Sequence, residues 1–133
     1  MKKFILIFAA LITIENTAFS QAANSGVVKN LSADRFKAII AYDKKGVILD
    51  LRTKDEIKNG FIKGSVQLDF LAKDAEQQID KLDKNITYYV YCAGGGRSAE
   101  ATAYMEKHNF KSVYNFELGF AEWEKKGFPI EKQ

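Results

Sequence analysis

The stretch Tyr89–Glu100, YVYCAGGGRSAE, decides the fold of this sequence and gives the first indication of its chemistry. It contains the only cysteine of the 133-residue chain, Cys92, followed by three of the nine glycines. The apolar run TYYVY at 87–91, which leads into it, is typical of a buried β-strand. From Ser98 the sequence AEATAYMEKH follows a helical pattern. The sequence therefore predicts a strand and a helix joined by a glycine-rich loop that carries the thiol.

Strand and helix patterns alternate along the rest of the chain as well. A second buried-strand run, VILDL, occupies 47–51, and shorter strand candidates lie at 27–28, 65–68 and 112–115. Predicted helices lie between them, capped at their start by Ser32, by a Thr53–Glu56 capping box and by Asp69, with a further one at FAEWEKKG, 120–127. This alternation predicts the α/β class, with a mostly parallel sheet and helices on both faces.

The first twenty residues predict a secretory signal. Lys2 and Lys3 precede an eleven-residue apolar run, 4–14, and a small-x-small pattern ends at Ser20. The run is shorter than the roughly 20 residues that span a bilayer, so a retained anchor is the less favoured alternative. We expect cleavage after Ser20, a single domain at 21–133, a periplasmic or otherwise extracytoplasmic bacterial location, and no membrane association after cleavage.

Composition and charge exclude some partners. The chain is 47% hydrophobic and 28% charged, which is typical of a globular protein, and its net charge of +3 is spread without a basic block. Nothing in this pattern favours nucleic-acid binding.

The loop after Cys92 is suited to holding negative charge. In a parallel sheet, ligands bind beyond the carboxyl ends of the strands, where Cys92 lies. Glycines allow successive N–H groups to converge on one point, the helix start adds partial positive charge, and Arg97 adds a full one. Such surroundings lower the pKa of a cysteine below its free value of about 8.5, which makes the thiolate available as a nucleophile. An inert buried thiol is the alternative that these neighbours disfavour.

The spacing between Cys92 and Arg97 separates two chemistries. Four residues, Ala93, Gly94, Gly95 and Gly96, lie between them, whereas cysteine-dependent phosphatases and arsenate reductases have five. The segment 91–130, which contains Cys92, the glycines and Arg97, resembles the carboxyl half of a single-domain rhodanese, a sulfurtransferase of the thiosulfate type. The segment 47–70, VILDLRTKDEIKNGFIKGSVQLDF, resembles the first signature of the same family. The resemblance covers Leu31 to Ile130.

The resemblance implies a rhodanese-like fold with a five-stranded, mostly parallel sheet flanked by helices, and a six-residue active loop from Cys92 to Arg97. It also implies a function and a set of site residues. Cys92 would attack a small anionic sulfur donor such as thiosulfate and become a persulfide, and cyanide or a thiol would accept the sulfur. The amides of Ala93, Gly94, Gly95, Gly96, Arg97 and Ser98 would stabilise the charged sulfur, and Arg97 would steer the donor. No metal or organic cofactor is expected. The alternatives are a non-enzymatic persulfide carrier or redox partner of a protein thiol and, less favoured, a phosphatase or arsenate reductase.

Two further residues are candidates for a supporting role. Asp50 and Arg52 end the second strand at the same sheet edge as Cys92. A functional role would be to support the loop or the donor, but a structural ion pair or a helix-start contact is the favoured interpretation. Glu56 is expected to serve only its capping box.

Overall fold

The computed structural model describes residues 27–133. The predicted signal segment, residues 1–20, lies outside the described residues. The strands and helices, in chain order, are β1 (Val27–Leu31), α1 (Ala33–Tyr42), β2 (Val47–Asp50), α2 (Lys54–Ile57), β3 (Val66–Gln67), α3 (Ala75–Asp80), β4 (Thr87–Tyr91), α4 (Gly96–Lys107), β5 (Ser112–Phe116) and α5 (Gly119–Lys125). Within the described range, no helix is both long enough and apolar enough to cross a membrane.

The five strands form one sheet in the order β1-β5-β4-β2-β3, and every neighbouring pair is parallel. This confirms the predicted α/β class. The chain leaves β4 toward β5 on one side and leaves β2 toward β3 on the other. The loops that follow β2 and β4 therefore diverge, and such a divergence is where parallel sheets form binding crevices.

Both faces of the sheet are buried. Helices α3 and α4 cover one face, packing on Tyr88 and Val90, and α1 and α5 cover the other, packing on Tyr89 and Tyr91. Successive strand residues point to opposite faces, so a strand covered on both sides needs a continuous apolar run. That requirement explains TYYVY, which places β4 at the centre of the sheet and Cys92 directly beyond its carboxyl end.

The caps of two helices are confirmed. Ser32 Oγ accepts a hydrogen bond from the Arg35 N–H at 3.4 Å, and Thr53 and Glu56 form the reciprocal capping box. Two other helix starts were predicted wrongly. Asp69 does not cap a long helix, because its carboxylate accepts the Leu71 N–H at 2.8 Å in a local turn and α3 begins only at residue 75.

The second correction concerns α4, which begins at Gly96 and not at Ser98. Its cap, Gly95, has φ +103°, a left-handed conformation that lets the chain enter the helix directly from the loop. Ser98 consequently lies in the first turn, where its hydroxyl donates to the Gly95 carbonyl oxygen at 3.1 Å. The loop 92–97 and the start of α4 therefore overlap, which brings the N–H groups of the helix closer to Cys92.

Candidate functional site

The thiol of Cys92 lies inside the loop that it begins. Its Sγ accepts hydrogen bonds from the main-chain N–H groups of Gly95 at 3.1 Å and of Ser98 at 3.4 Å. Ser98 Oγ lies 3.6 Å from the same sulfur. The side chain is 1% exposed, and the thiol is free. The sulfur is thus held by directed polar groups and is not simply packed against hydrocarbon.

The surroundings of Cys92 shift its pKa in opposing directions. Burial raises the pKa, because it disfavours the charged thiolate, while the hydrogen-bond contact with the Ser98 side chain and the hydrogen bonds from the amides of Ser98, Gly95 and Gly94 lower it. The net result is a thiol pKa below its ordinary value. These amides lie at the amino-terminal end of α4, whose dipole favours negative charge. The Ser98 side chain and the main-chain amides of Ser98, Gly95 and Gly94 therefore together favour the thiolate.

The central glycine of the loop is required by geometry. At Gly95, a Cβ atom would lie 2.0 Å from the carbonyl oxygen of Glu117, and the φ of +103° is strained for any other residue. At Gly94 and Gly96, a Cβ atom would have no heavy atom within 4 Å. The three glycines thus have different roles: one is needed for loop closure, and the other two leave open space at the rim.

The carbonyl side of the loop is bound by α5. The N–H groups of Phe120 and Ala121 donate to the carbonyl oxygens of Cys92 at 2.8 Å and of Ala93 at 3.0 Å. Gly119, with φ +69°, allows this approach, because a Cβ atom there would lie 2.7 Å from both carbonyl oxygens. This contact could not be predicted from the sequence, since the two segments are more than twenty residues apart. Two helix starts therefore hold the loop. Amides at the start of α4 donate to the sulfur, and amides at the start of α5 donate to the carbonyl oxygens of the loop.

The guanidinium of Arg97 is engaged by Glu56. Arg97 Nη1 and Nη2 donate to Glu56 Oε2 at 2.8 Å and Oε1 at 2.7 Å, a bidentate pair that is partly exposed. The Arg97 hydrogen bonds are the main cause that lowers the pKa of Glu56 to about 2. The expectation that Glu56 serves only its capping box is therefore wrong. It was missed because Glu56 and Arg97 are 41 residues apart and meet only through the fold.

Asp50 and Arg52 form a buried ion pair, at 0% and 3% exposure. The Arg52 Nη2 donates to Asp50 Oδ2 at 2.8 Å and to the Gly60 carbonyl oxygen at 2.9 Å, and its guanidinium carbon lies 3.9 Å from the Phe120 ring centroid. The Tyr91 hydroxyl donates to Asp50 as well. These contacts favour the structural interpretation. Through Phe120, the pair also underlies the start of α5, which binds the loop.

A cavity of about 280 Å³ lies beside the loop, lined by Arg52, Glu56, Asn59, Ala93, Phe120, Ala121 and Glu124. This volume is at the lower end of ligand pockets, which begin at about 300 Å³, so it suits a small molecule more than a bulky cofactor. Within residues 27–133, no group of three or more His, Cys, Asp or Glu side chains is placed to hold a metal ion.

Residues 22–126 match the family model of the rhodanese-like domain. The chain belongs to the rhodanese-like domain family. The match spans the strand, loop and helix that hold Cys92 as well as β2 and the Asp50–Arg52 pair. The fold is also that of solved rhodanese structures: the rhodanese-related protein from Thermoplasma volcanium aligns with a TM-score of 0.69 and 25% identity, covering 79% of this chain and 99% of that one.

Curated relatives of this rhodanese-like domain carry several names. A putative sulfurtransferase of Bacillus subtilis, YtwF, is 30% identical over 73% of this chain and 91% of its own length. A putative sulfur carrier protein of the same organism, YrkF, is 30% identical over 75% of this chain and 53% of its length. The tRNA uridine(34) hydroxylase of Pectobacterium atrosepticum is 34% identical over 83% of this chain. This chain spans 31% of the hydroxylase and about half of the carrier.

Proposed function

We propose that this rhodanese-like domain is a sulfurtransferase that carries sulfane sulfur as a persulfide on Cys92. The observation on which the proposal rests is the contact of Sγ with the amides of Gly95 and Ser98, at 3.1 and 3.4 Å, in a loop that lowers the thiol pKa. A buried cysteine without such donors would remain a protonated, inert thiol. The putative sulfurtransferase among the relatives supports the same function, because the match covers 91% of that protein and 73% of this chain.

The reaction has two half-reactions, each of which breaks one S–S bond and forms one new bond to the transferred sulfur, an S–S bond or, with cyanide, a C–S bond. In the first, the Cys92 thiolate attacks the outer sulfur of a thiosulfate-like donor. A new S–S bond forms, the S–S bond of the donor breaks, and sulfite leaves with the electron pair of that bond. In the second, a thiol or cyanide attacks the outer sulfur of the persulfide, and the Cys92 thiolate is released. No net oxidation of the protein occurs over the cycle.

The loop assists both steps through main-chain electrostatics. In this proposal the amides of Ala93, Gly94, Gly95, Gly96, Arg97 and Ser98 surround the outer sulfur of the persulfide, and the contacts of Sγ with the Gly95 and Ser98 amides support this arrangement. A fixed ring of N–H groups needs little reorganisation as charge develops there. The four-residue spacing between Cys92 and Arg97 makes this ring tighter than that of the cysteine-dependent phosphatases. This favours a single sulfur atom over a tetrahedral phosphate. Asp50 and Arg52 act indirectly, through the packing of α5.

The proposal is tested by incubating the protein with thiosulfate and measuring its intact mass. The expected result is the gain of one sulfur atom, which is removed by cyanide with release of thiocyanate. Cys92→Ser should gain no sulfur, and since Cys92 is the only cysteine, no other thiol competes. Release of phosphate from an aryl phosphate with no persulfide would overturn the proposal in favour of phosphatase chemistry.

A persulfide carrier is the second candidate, favoured by the relative named as a putative sulfur carrier protein. Both functions pass through the same Cys92 persulfide, so the mass gain alone does not separate them. Turnover does: a sulfurtransferase releases thiocyanate many times per protein molecule when thiosulfate and cyanide are both in excess. A carrier would form the persulfide but show negligible turnover with cyanide, because its persulfide would be released only to a specific partner protein.

A further inference from the structure

Arg97, the only cation in the loop 92–97, is paired with a carboxylate. Both terminal nitrogens of its guanidinium donate to the Glu56 carboxylate, at 2.7 and 2.8 Å. The pKa of Arg97 is raised chiefly by the Glu56 hydrogen bonds, with smaller contributions from the charges of Cys92 and Asp69. Arg97 is therefore paired with Glu56 on α2, and the charges of Cys92 and Asp69 act on it more weakly.

The charges around the mouth of the loop consequently do not favour a doubly charged donor. The positive charge of Arg97 is compensated by the negative charge of Glu56, and Asp69 adds a weaker negative contribution, before the Cys92 thiolate is counted. The positive field that remains comes from the main-chain amides and the start of α4, which act over a short distance. Such a field suits the single transferred sulfur, whereas a second negative charge on the donor would face the carboxylates.

We propose that Glu56 is a specificity-determining residue, which pairs with Arg97 and so directs the site toward sulfane donors that carry one negative charge or none. This inference rests on the sulfurtransferase function proposed above. Glu56 is placed by its own capping box, in which it also accepts the Thr53 N–H at 2.8 Å. The carboxylate is therefore fixed from the α2 side before it meets Arg97, and it acts on the donor through that arginine as a positioning residue.

Two donors with the same transferable sulfur but different charge measure this effect. Thiosulfate is a dianion, and methanethiosulfonate, in which a methyl group replaces one oxygen, is a monoanion. In each case the Cys92 thiolate forms a new S–S bond while the donor S–S bond breaks, with sulfite leaving from thiosulfate and methanesulfinate from methanethiosulfonate. Cyanide accepts the sulfur in both assays. The ratio of the two kcat/KM values therefore reports only the donor half-reaction.

Glu56→Gln is the central variant, because glutamine also forms a capping box and so preserves the start of α2. It removes one negative charge and leaves the positive charge of Arg97 uncompensated. The ratio of kcat/KM for thiosulfate to that for methanethiosulfonate should rise about threefold to fivefold, the size of interactions between partly exposed charges. Asp55→Asn is the matched control. Asp55 is the preceding residue on α2, but its carboxylate is exposed and pairs with Lys58. The ratio of the two kcat/KM values in Asp55→Asn should therefore equal the wild-type ratio.

Arg97→Gln should shift the ratio in the opposite direction, because it leaves the Glu56 charge uncompensated. The double variant Glu56→Gln/Arg97→Gln should return toward the wild-type ratio, which would show that the two charges act as a pair. The shift in Glu56→Gln should also diminish at high ionic strength, since screening weakens the interaction. Circular dichroism of each variant would verify that the fold is retained.

The outcomes distinguish this inference from the proposed function. If wild-type protein forms no persulfide with either donor, the sulfurtransferase function fails. If both donors are used but the ratio in Glu56→Gln equals that in Asp55→Asn, the function stands and the role assigned to Glu56 is refuted. A fall of the ratio in Glu56→Gln would refute it as well.

Discussion

Gly95→Ala is expected to damage the loop more than any other glycine substitution within it. The added Cβ atom would lie 2.0 Å from the Glu117 carbonyl oxygen, more than an ångström inside ordinary contact. The backbone would also have to hold alanine at φ +103°. Glu117 cannot move freely, because it joins β5 to α5 and its N–H donates to the Leu31 carbonyl oxygen on β1 at 3.2 Å. The loop must therefore strain or open.

The cost can be worked from these two terms. A non-glycine residue in a sparsely populated backbone region costs about 1–3 kcal/mol, and overpacking against fixed neighbours costs about 1–3 kcal/mol more. The sum, about 4 kcal/mol, corresponds to a fall in Tm of about 15 °C for a domain of this size, at roughly 4 °C per kcal/mol. If the loop opens to relieve the contact, the stability loss is smaller. The Gly95 N–H then leaves Sγ, and the pKa of Cys92 rises.

Two measurements capture both responses: thermal unfolding, and the pH dependence of Cys92 alkylation by iodoacetamide. Wild-type protein should react with a midpoint below that of a free cysteine, because its thiol pKa is lowered. Gly95→Ala should lower Tm, raise the alkylation midpoint, or do both. Gly94→Ala and Gly96→Ala are the controls, since a Cβ atom at either position meets open space.

A Gly95→Ala protein with wild-type Tm and a wild-type alkylation midpoint would refute this account of the loop. It would mean that the amide of residue 95 holds neither the backbone nor the thiolate. A fall in Tm of similar size in Gly94→Ala would also contradict the reasoning, because the effect would then not come from the Glu117 contact.

Two further predictions concern charged pairs. Arg52→Met should lower the free energy of unfolding by about 3–5 kcal/mol, because it leaves the Asp50 carboxylate buried and unpaired; denaturant titration measures this, and a loss no larger than that of the exposed-pair variant Lys58→Met would contradict it. Glu56, whose pKa is lowered to about 2 from 4.5, contributes stability that is present above about pH 4.5 and lost as the pH falls toward 2. The difference in unfolding free energy between wild type and Glu56→Gln should therefore shrink over that interval, and a difference that is constant with pH would be the contrary result.

Local sequence signals predicted the elements well where the determining groups are close in the chain. The run TYYVY indicated a strand covered on both faces, and the Ser32 and Thr53 caps began helices where expected. These predictions depend on backbone periodicity and on hydrogen bonds across three residues, which the sequence displays directly. Asp69 was misassigned because an aspartate can also close a turn with the N–H two residues on, and the sequence around it fits both.

The sequence by itself determined the α/β class, the position of Cys92 beyond a central strand, and the glycine loop that could gather amides around its sulfur. Only the tertiary structure decided what surrounds that loop. It brought Glu56 to Arg97, Gly119 and Phe120 to the carbonyl oxygens of the loop, and Glu117 to Gly95. The physical reason is that a hydrogen bond within a few residues is encoded in local order. A bidentate ion pair or a close backbone approach between distant segments exists only once the packed helices fix their relative positions.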